Sequence, residues 1–169
     1  MPTSDPALYD AIIIGAGQGG GPLAGALARA GWTTALIERR HAGGTCVNRG
    51  CTPTKTMIAS ARVAHLARRS DDYGVRTGDI SVDMDTVYQR KTDIVTSFRS
   101  GSRTAIETTE GLDFLHGTAS FVDERTLAVD MNEGNDTHLV KSDRIIINTG
   151  ATPFIPPIEG LHDAPYLTS

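Results

Sequence analysis

The 169-residue chain holds only two cysteines, no apolar run approaching a membrane span, no internal repeat and no excess of positive charge. The missing run excludes a spanning helix, which needs about 20 consecutive apolar residues. Sixteen Lys and Arg against 20 Asp and Glu leave a net charge of −4, so nothing points to a nucleic-acid partner. No Cys or His cluster of zinc spacing surrounds the two cysteines, and no metal site is expected. Met1-Pro2-Thr3-Ser4-Asp5-Pro6 has neither the basic nor the apolar region of a signal peptide. The expectation is therefore a cytoplasmic protein with no membrane partner. In that reducing compartment a cycling disulfide is expected rather than a lasting one. Length and a hydrophobic content of 39% describe a domain able to bury a core.

The two cysteines, Cys46 and Cys51, lie within Gly43-Gly44-Thr45-Cys46-Val47-Asn48-Arg49-Gly50-Cys51-Thr52-Pro53-Thr54-Lys55. A disulfide needs Cα atoms about 4.4–6.8 Å apart, whereas five helical steps rise about 7.5 Å. A bridge therefore requires a break in the helix, and Gly50 is the candidate. So short a loop removes little unfolded-state entropy, so exchange chemistry explains the spacing better than stabilisation. Two plainer readings stay open: unrelated reduced thiols, or half of a metal site. After Cys51, Thr52 is the N-cap candidate and Pro53 the candidate first helical residue. Cys51 would then lie where a helix dipole and the Lys55 cation favour a thiolate.

A second constellation has different chemistry. Ala11-Ile12-Ile13-Ile14 is a short apolar strand, followed at once by Gly15-Ala16-Gly17-Gln18-Gly19-Gly20, which fits Gly-x-Gly-x-x-Gly. Gly15 allows the tight turn, Gly17 lets backbone approach a pyrophosphate, and Gly20 lets helix meet strand. Leu23 to Ala30 reads as a helix closed by Gly31, and Thr33 to Ile37 as a second buried strand ending at Glu38. An acid there accepts ribose hydroxyls and disfavours a 2′-phosphate, so the dinucleotide is FAD or NAD rather than NADP. The plain alternative for Glu38 is a solvated strand-end acid. Arg39, Arg40 and His41 read as solvated loop.

Met57, Ile58, Ala61 and Ala64 recur at helical spacing through about Arg69, carrying Lys55 on a packed helix, and His65 on it is given no role. Ser70 to Gly78 reads as loop. Met84, Val87, Tyr88, Ile94, Val95 and Phe98 mark a long helix that frays near Gly101, with this stripe as packing surface. From Leu112 the pattern changes to short strands at 114–115, 119–122, 126–129 and 139–140, an antiparallel meander. Arg144 to Ile147 reads as a buried strand running into Asn148-Thr149-Gly150, and Pro153, Pro156, Pro157 and Gly160 as an exit.

The cysteine segment resembles the redox motif of the class I flavoprotein disulfide reductases, the pyridine nucleotide-disulfide oxidoreductase group of glutathione reductase, lipoamide dehydrogenase and mercuric reductase, and most closely its mercuric-reductase-like members. The resemblance implies an α/β fold: a Rossmann-like FAD-binding domain, a parallel sheet flanked by helices with an antiparallel β-meander. It makes Cys46 the exchange thiol, more open to reagents and also among the cofactor-binding residues, and Cys51 the charge-transfer thiol against the flavin. It puts Lys55 near flavin N5, Thr45 on FAD through hydroxyl and backbone, the backbone near Ala119 on the adenine side, and Thr149-Gly150 in the segment closing the first FAD half-site. It selects FAD as the cofactor bound by Gly15, Gly17, Gly20 and Glu38. Arg49, Thr52 and Thr54 depart from the residues common in the family. The expected organisation is an FAD-binding redox-disulfide domain over 1–153 and a linker over 154–169 to a missing NAD(P)H-binding domain. In the intact enzyme, expected as a homodimer, electrons would pass from NAD(P)H through FAD to the Cys46–Cys51 bridge and on to a small-molecule disulfide or Hg(II) substrate. The rival of a different class is a non-catalytic dinucleotide-binding module, or a truncated product, whose cysteines sense oxidant.

Overall fold

The computed structural model describes residues 5–134 and 136–168; the reading made on Met1 to Ser4 lies outside them. The strands β1 (Ala7–Leu8), β2 (Ala11–Ile14), β3 (Thr34–Glu38), β4 (Leu112–Phe121), β5 (Thr126–Met131), β6 (Thr137–Lys141) and β7 (Ile145–Ile147) form one mixed sheet in the order β1-β6-β5-β4-β3-β2-β7. The helices are α1 (Gly20–Arg29), α2 (Gly44–Asn48), α3 (Cys51–Arg68) and α4 (Met84–Glu107).

β2 pairs in parallel with β3 and β7, and β3 with the first half of β4. This is the parallel half. Period-two alternation then divides its side chains between two faces. Ile13 and Leu36 join Ala24 and Ala28 of α1, Ile106 of α4 and Leu112 on one face. Ile12, Ala35 and Ile37 point to the other, where Leu127, Val129 and Val140 cover them. Each fully buried Ile or Leu contributes about 1.5–3 kcal/mol by leaving water. Because β2 and β3 are apolar on both faces, they read as continuous runs rather than alternating ones.

The meander expected from Leu112 is corrected in one respect. β4 is one ten-residue strand that pairs in parallel with β3 up to His116 and antiparallel with β5 from Gly117 onward. Gly117 is the changeover, where a β-carbon would press on the Asp130 backbone. β5 and β6 continue antiparallel, and the two-residue β1, unforeseen in the sequence, joins β6 in parallel.

Three helix boundaries also differ from expectation, the first being α1, which begins at Gly20 rather than Leu23. α3 begins at Cys51, with Gly50 as its N-cap and no side-chain cap, so Thr52 is not the cap and Pro53 is the third helical residue. Proline is tolerated there because N–H groups of the first turn have no intrahelical partner. α4 does not fray at Gly101 but runs to Glu107, since Ile106 is buried in the core and anchors the last turn. The stripe expected to pack is largely exposed: Met57, Ile58, Met84, Tyr88 and Phe98 are all open, and only Val95 of the six residues read on α4 is buried. Among the described residues no helix is long and apolar enough to cross a membrane.

Candidate dinucleotide and dithiol site

The C-terminal ends of β2, β3 and β7 gather the glycine turn, Glu38 and Asn148. Gly15 adopts φ +106, and a side chain there would collide with the Asn148 carbonyl. Gly20 closes on the Gly15 carbonyl oxygen just as tightly. Both are fixed by the chain itself. Gly17 is different: an added β-carbon meets nothing nearer than 3.4 Å, at Asn148 Nδ2, so internal crowding does not require glycine at this position. α1 starts at this turn with Gly19 as N-cap, no side-chain cap and no acidic residue in its first turn. The Gly21 N–H is already bonded to the Gly17 carbonyl at 3.1 Å and Pro22 has no N–H, so it is the positive dipole end that suits a pyrophosphate.

Glu38 ends β3 with its carboxylate oriented by two backbone donors. The Ala16 N–H donates to Oε2 at 2.9 Å and the Arg40 N–H to Oε1 at 2.8 Å. One donor on each oxygen leaves lone pairs for the two hydroxyls of a ribose. The loop behind it is tied to the meander, because His116 Nε2 donates to the Arg40 carbonyl at 2.9 Å and Asn132 Nδ2 to the Arg39 carbonyl at 2.9 Å. His41 in this loop has its basicity lowered, first by burial and then by the nearby Arg99, His116 and Arg49, with Glu38 opposing. β3 ends opposite His116, so the stretch of β4 holding Ala119 has no strand on that side. Its backbone there is free for an adenine edge.

The dithiol unit is built against the glycine turn. Gly44 has φ +60, and a β-carbon on it would lie 2.6 Å from Gly17 Cα. The Gly43 N–H donates to the Ala16 carbonyl at 2.8 Å, and Gln18 Nε2 to the Gly43 carbonyl at 3.1 Å. α2 therefore begins in contact with the turn and carries Cys46 at its middle. The chain then reverses, with the Thr45 carbonyl accepting from Arg49 N at 2.8 Å and Gly50 N at 2.7 Å. Gly50 takes φ −113, ψ −102, which supplies the break the cysteine spacing demands, and Cys51 opens α3.

Both cysteines are free thiols. Hydrogen bonding to Cys51 pushes the Cys46 thiol above its ordinary range, burial adds to the rise, and Lys55 pulls weakly against it. The two thiols are therefore within hydrogen-bonding reach of each other. Accessibility reverses the expectation: Cys51 is exposed and Cys46 half-buried. Cys51 is the first helical residue, with no preceding turn of its own helix to cover it. Lys55, one turn on, and Thr45 are exposed.

The structure thus brings together Gly15, Gly17, Gly20 and Glu38, and sets Thr45, Cys46 and Cys51 beside them through Gly17 and Gly44. Thr149 and Gly150 follow directly on Asn148, whose Nδ2 donates to the Gly15 carbonyl at 3.1 Å and whose N–H donates to the Ile14 carbonyl at 2.8 Å. Sequence reasoning gave no role to Asn148, Asn48, Arg99 or Gln18. Gln18, Asn48 and Asn148 stood inside motif segments already singled out, and Arg99 lay on a helix read only as packing. Among the described residues no cluster of three or more His, Cys, Asp or Glu could hold a metal ion.

A nucleotide-binding βαβ unit with a dithiol at a helix start defines a class of redox flavoprotein domains, and comparison with known proteins specifies the family. The family model described as pyridine nucleotide-disulphide oxidoreductase matches residues 9–169. The chain belongs to that family. It is 41% identical to a mercuric reductase of Shigella flexneri over 98% of its own length and 29% of the relative's. It is 37% identical to a dihydrolipoyl dehydrogenase of Chlamydia muridarum over 86% of its length and 30% of the relative's. Among solved structures, the Cu(II) complex of a mutant of RclA, the HOCl-induced flavoprotein disulfide reductase from Escherichia coli, superposes with a TM-score of 0.76. The two are 34% identical over 94% of this chain and 32% of that one. The chain thus spans about a third or less of the length of these relatives.

Proposed function

We propose that the chain is the FAD-binding, redox-disulfide part of an oxidoreductase that takes electrons from NAD(P)H and delivers them through a reversible Cys46–Cys51 bridge. The observation that carries this is the contact of Gly17 with Gly44, which joins a phosphate-binding turn to the helix bearing Cys46. FAD fits the residues present. Gly15, Gly17, Gly20 and the start of α1 would hold its pyrophosphate, Glu38 its ribose, the open edge near Ala119 its adenine, and Thr45, Lys55, Thr149 and Gly150 its flavin half. When bound, it supplies the two-electron step between nicotinamide and disulfide.

The chain's own residues do the thiol chemistry. Two electrons and two protons open the bridge to two thiols. Cys46 gives up its proton, attacks one sulfur of a substrate disulfide as the thiolate and forms a mixed disulfide, while the other substrate sulfur leaves and takes up a proton. Cys51 then attacks Cys46 Sγ, releases the second substrate thiolate and restores the bridge. The same two sulfurs are soft ligands for a metal ion such as Hg(II), which keeps a small-molecule disulfide and Hg(II) as the two substrate classes. The whole protein is proposed to be a cytoplasmic homodimer, with its nicotinamide site outside the features recognised in these residues.

Two measurements on the 169-residue chain test the proposal. In equilibrium dialysis FAD is expected to bind more tightly than NADP, and the reverse order would refute the role of Glu38. In mass spectrometry after air oxidation and alkylation, prior reduction is expected to add two alkyl groups, at Cys46 and Cys51. Equal masses with and without reduction would show that no bridge forms.

A further inference from the structure

α2 is only five residues long, too short to hold its own shape in water, yet it carries Cys46. Its N-terminal end is fixed by the contact of Gly44 with Gly17. Its C-terminal end has a different support. Asn48 Nδ2 donates to the Ala42 carbonyl at 3.0 Å and to the Gly44 carbonyl at 2.8 Å, spanning the whole element from within. Both amide protons are then used, and the orientation of the amide rests on what its oxygen meets. That partner is Arg99, reaching across from α4, 51 residues later, with Nε donating to Asn48 Oδ1 at 2.7 Å. A short bond from a cation is about twice as strong as a neutral one. It also selects the amide orientation, because a flipped Asn48 would turn its NH₂ toward the guanidinium and its oxygen toward two carbonyls.

We propose that Arg99 is a positioning residue for Cys46, holding α2 in register with the phosphate turn and with Cys51 through the side-chain amide of Asn48. The proposal rests on the reading of Cys46 and Cys51 as a reversible pair. A bridge forms only when the Cα atoms stand about 4.4–6.8 Å apart. A frame that keeps α2 in place raises the effective concentration of one sulfur at the other, and loosening it disfavours the disulfide.

The test compares Arg99→Ala with Arg103→Ala on the full chain. Arg103 lies one turn on along α4, where its exposed side chain pairs with Glu107 at 2.7 Å and with no other acid among the described residues, so its removal controls for lost charge and helix composition. Titration in glutathione buffers is expected to show Arg99→Ala with a dithiol–disulfide equilibrium about tenfold less favourable to the bridge, a midpoint about 30 mV more positive. Arg103→Ala is expected to stay within about twofold of the parent. Arg99→Lys, which keeps a cationic donor, should fall between them. In the reduced protein, hydrogen exchange of the Arg49 and Gly50 amides, both bonded to the Thr45 carbonyl, is expected to quicken by about tenfold in Arg99→Ala alone. Faster exchange with an unmoved equilibrium would overturn the positioning role and leave Arg99 a structural tie. Indistinguishable behaviour of the two alanine variants in both measurements would overturn it outright. If the parent chain forms no bridge, the proposed function falls, and exchange alone then judges the latch: unchanged rates at Arg49 and Gly50 refute it.

Discussion

Replacing Gly44 by Ala tests whether the junction between turn and dithiol is as tight as its geometry requires. Two costs arise. At φ +60 a β-carbon introduces the left-handed strain of about 1–2 kcal/mol. The same carbon would stand 2.6 Å from Gly17 Cα, backbone that cannot rotate away, so the two segments must part by about 0.8 Å to reach the 3.4 Å of ordinary contact. Overpacking of this kind costs about 1–3 kcal/mol. The sum is about 2–5 kcal/mol, a fall in Tm of about 4–20 °C for a chain of this size. Gly78→Ala isolates the first cost, since Gly78 has φ +74 but nothing within 4 Å of an added β-carbon. It should lose about 2–8 °C. FAD separates the two variants further: a parted junction should weaken its binding roughly tenfold, equivalent to about 1.4 kcal/mol, whereas Gly78→Ala should leave it unchanged. Equal melting shifts and equal FAD affinities for the two variants would refute the idea that Gly17 and Gly44 form a fitted contact.

Gly101→Ala carries the opposite sign. Gly101 lies inside α4 with nothing within 4 Å, and alanine should stabilise by about 0.5–1 kcal/mol, read as a raised urea midpoint at unchanged slope. Asp83 caps α4 by accepting from the Asp85 and Thr86 N–H groups and from Thr86 Oγ1, and these bonds hold its carboxyl below the usual range. Its contribution is complete above the ordinary carboxylate value near 4 and disappears as pH falls through the depressed folded value. Asp83→Ala should therefore lower Tm by about 2–4 °C at pH 7 and by progressively less below pH 4; a pH-independent deficit would contradict the cap. Brief alkylation of the reduced chain without FAD should label exposed Cys51 ahead of half-buried Cys46, with Cys46 further slowed because its thiol is pushed above its ordinary range. Quicker labelling of Cys46 would contradict both observations.

The parts of the fold legible in the sequence were those in which one local signal decides. Ala11–Ile14 is a continuous apolar run ended by Gly15, Ala35–Ile37 an apolar core of Thr34–Glu38 shortly after Gly31, and α1 followed from the turn that opens it. The less legible parts depend on tertiary partners. The β4 strand read as two fragments around Gly117, because a glycine that breaks the apolar pattern looks like a turn, whereas here it lets one strand serve two neighbours. α4 outran its reading because propensity counts Gly101 as a stop, while burial of Ile106 holds the last turn. The start of α3 was misplaced because Pro53 is compatible with more than one position in a first turn.

The site divides along the same line. Its candidate residues were legible because a glycine turn after a strand, an acid at the next strand's end and a spaced cysteine pair each form a local pattern. Its scaffolding was not, because the bonds that hold those groups come from side chains with no local pattern. Asn148 ties to Gly15 across 133 residues, and Arg99 reaches Asn48 from a helix whose sequence announces only packing. Such residues satisfy a loop carbonyl, as Asn148 does, or a side chain that does so, as Arg99 does through Asn48, and any amide or guanidinium of suitable length would serve if the backbone placed it there. Spacing therefore locates the groups proposed to react, while the groups that keep them within reach become visible only when the loops between strands and helices have coordinates.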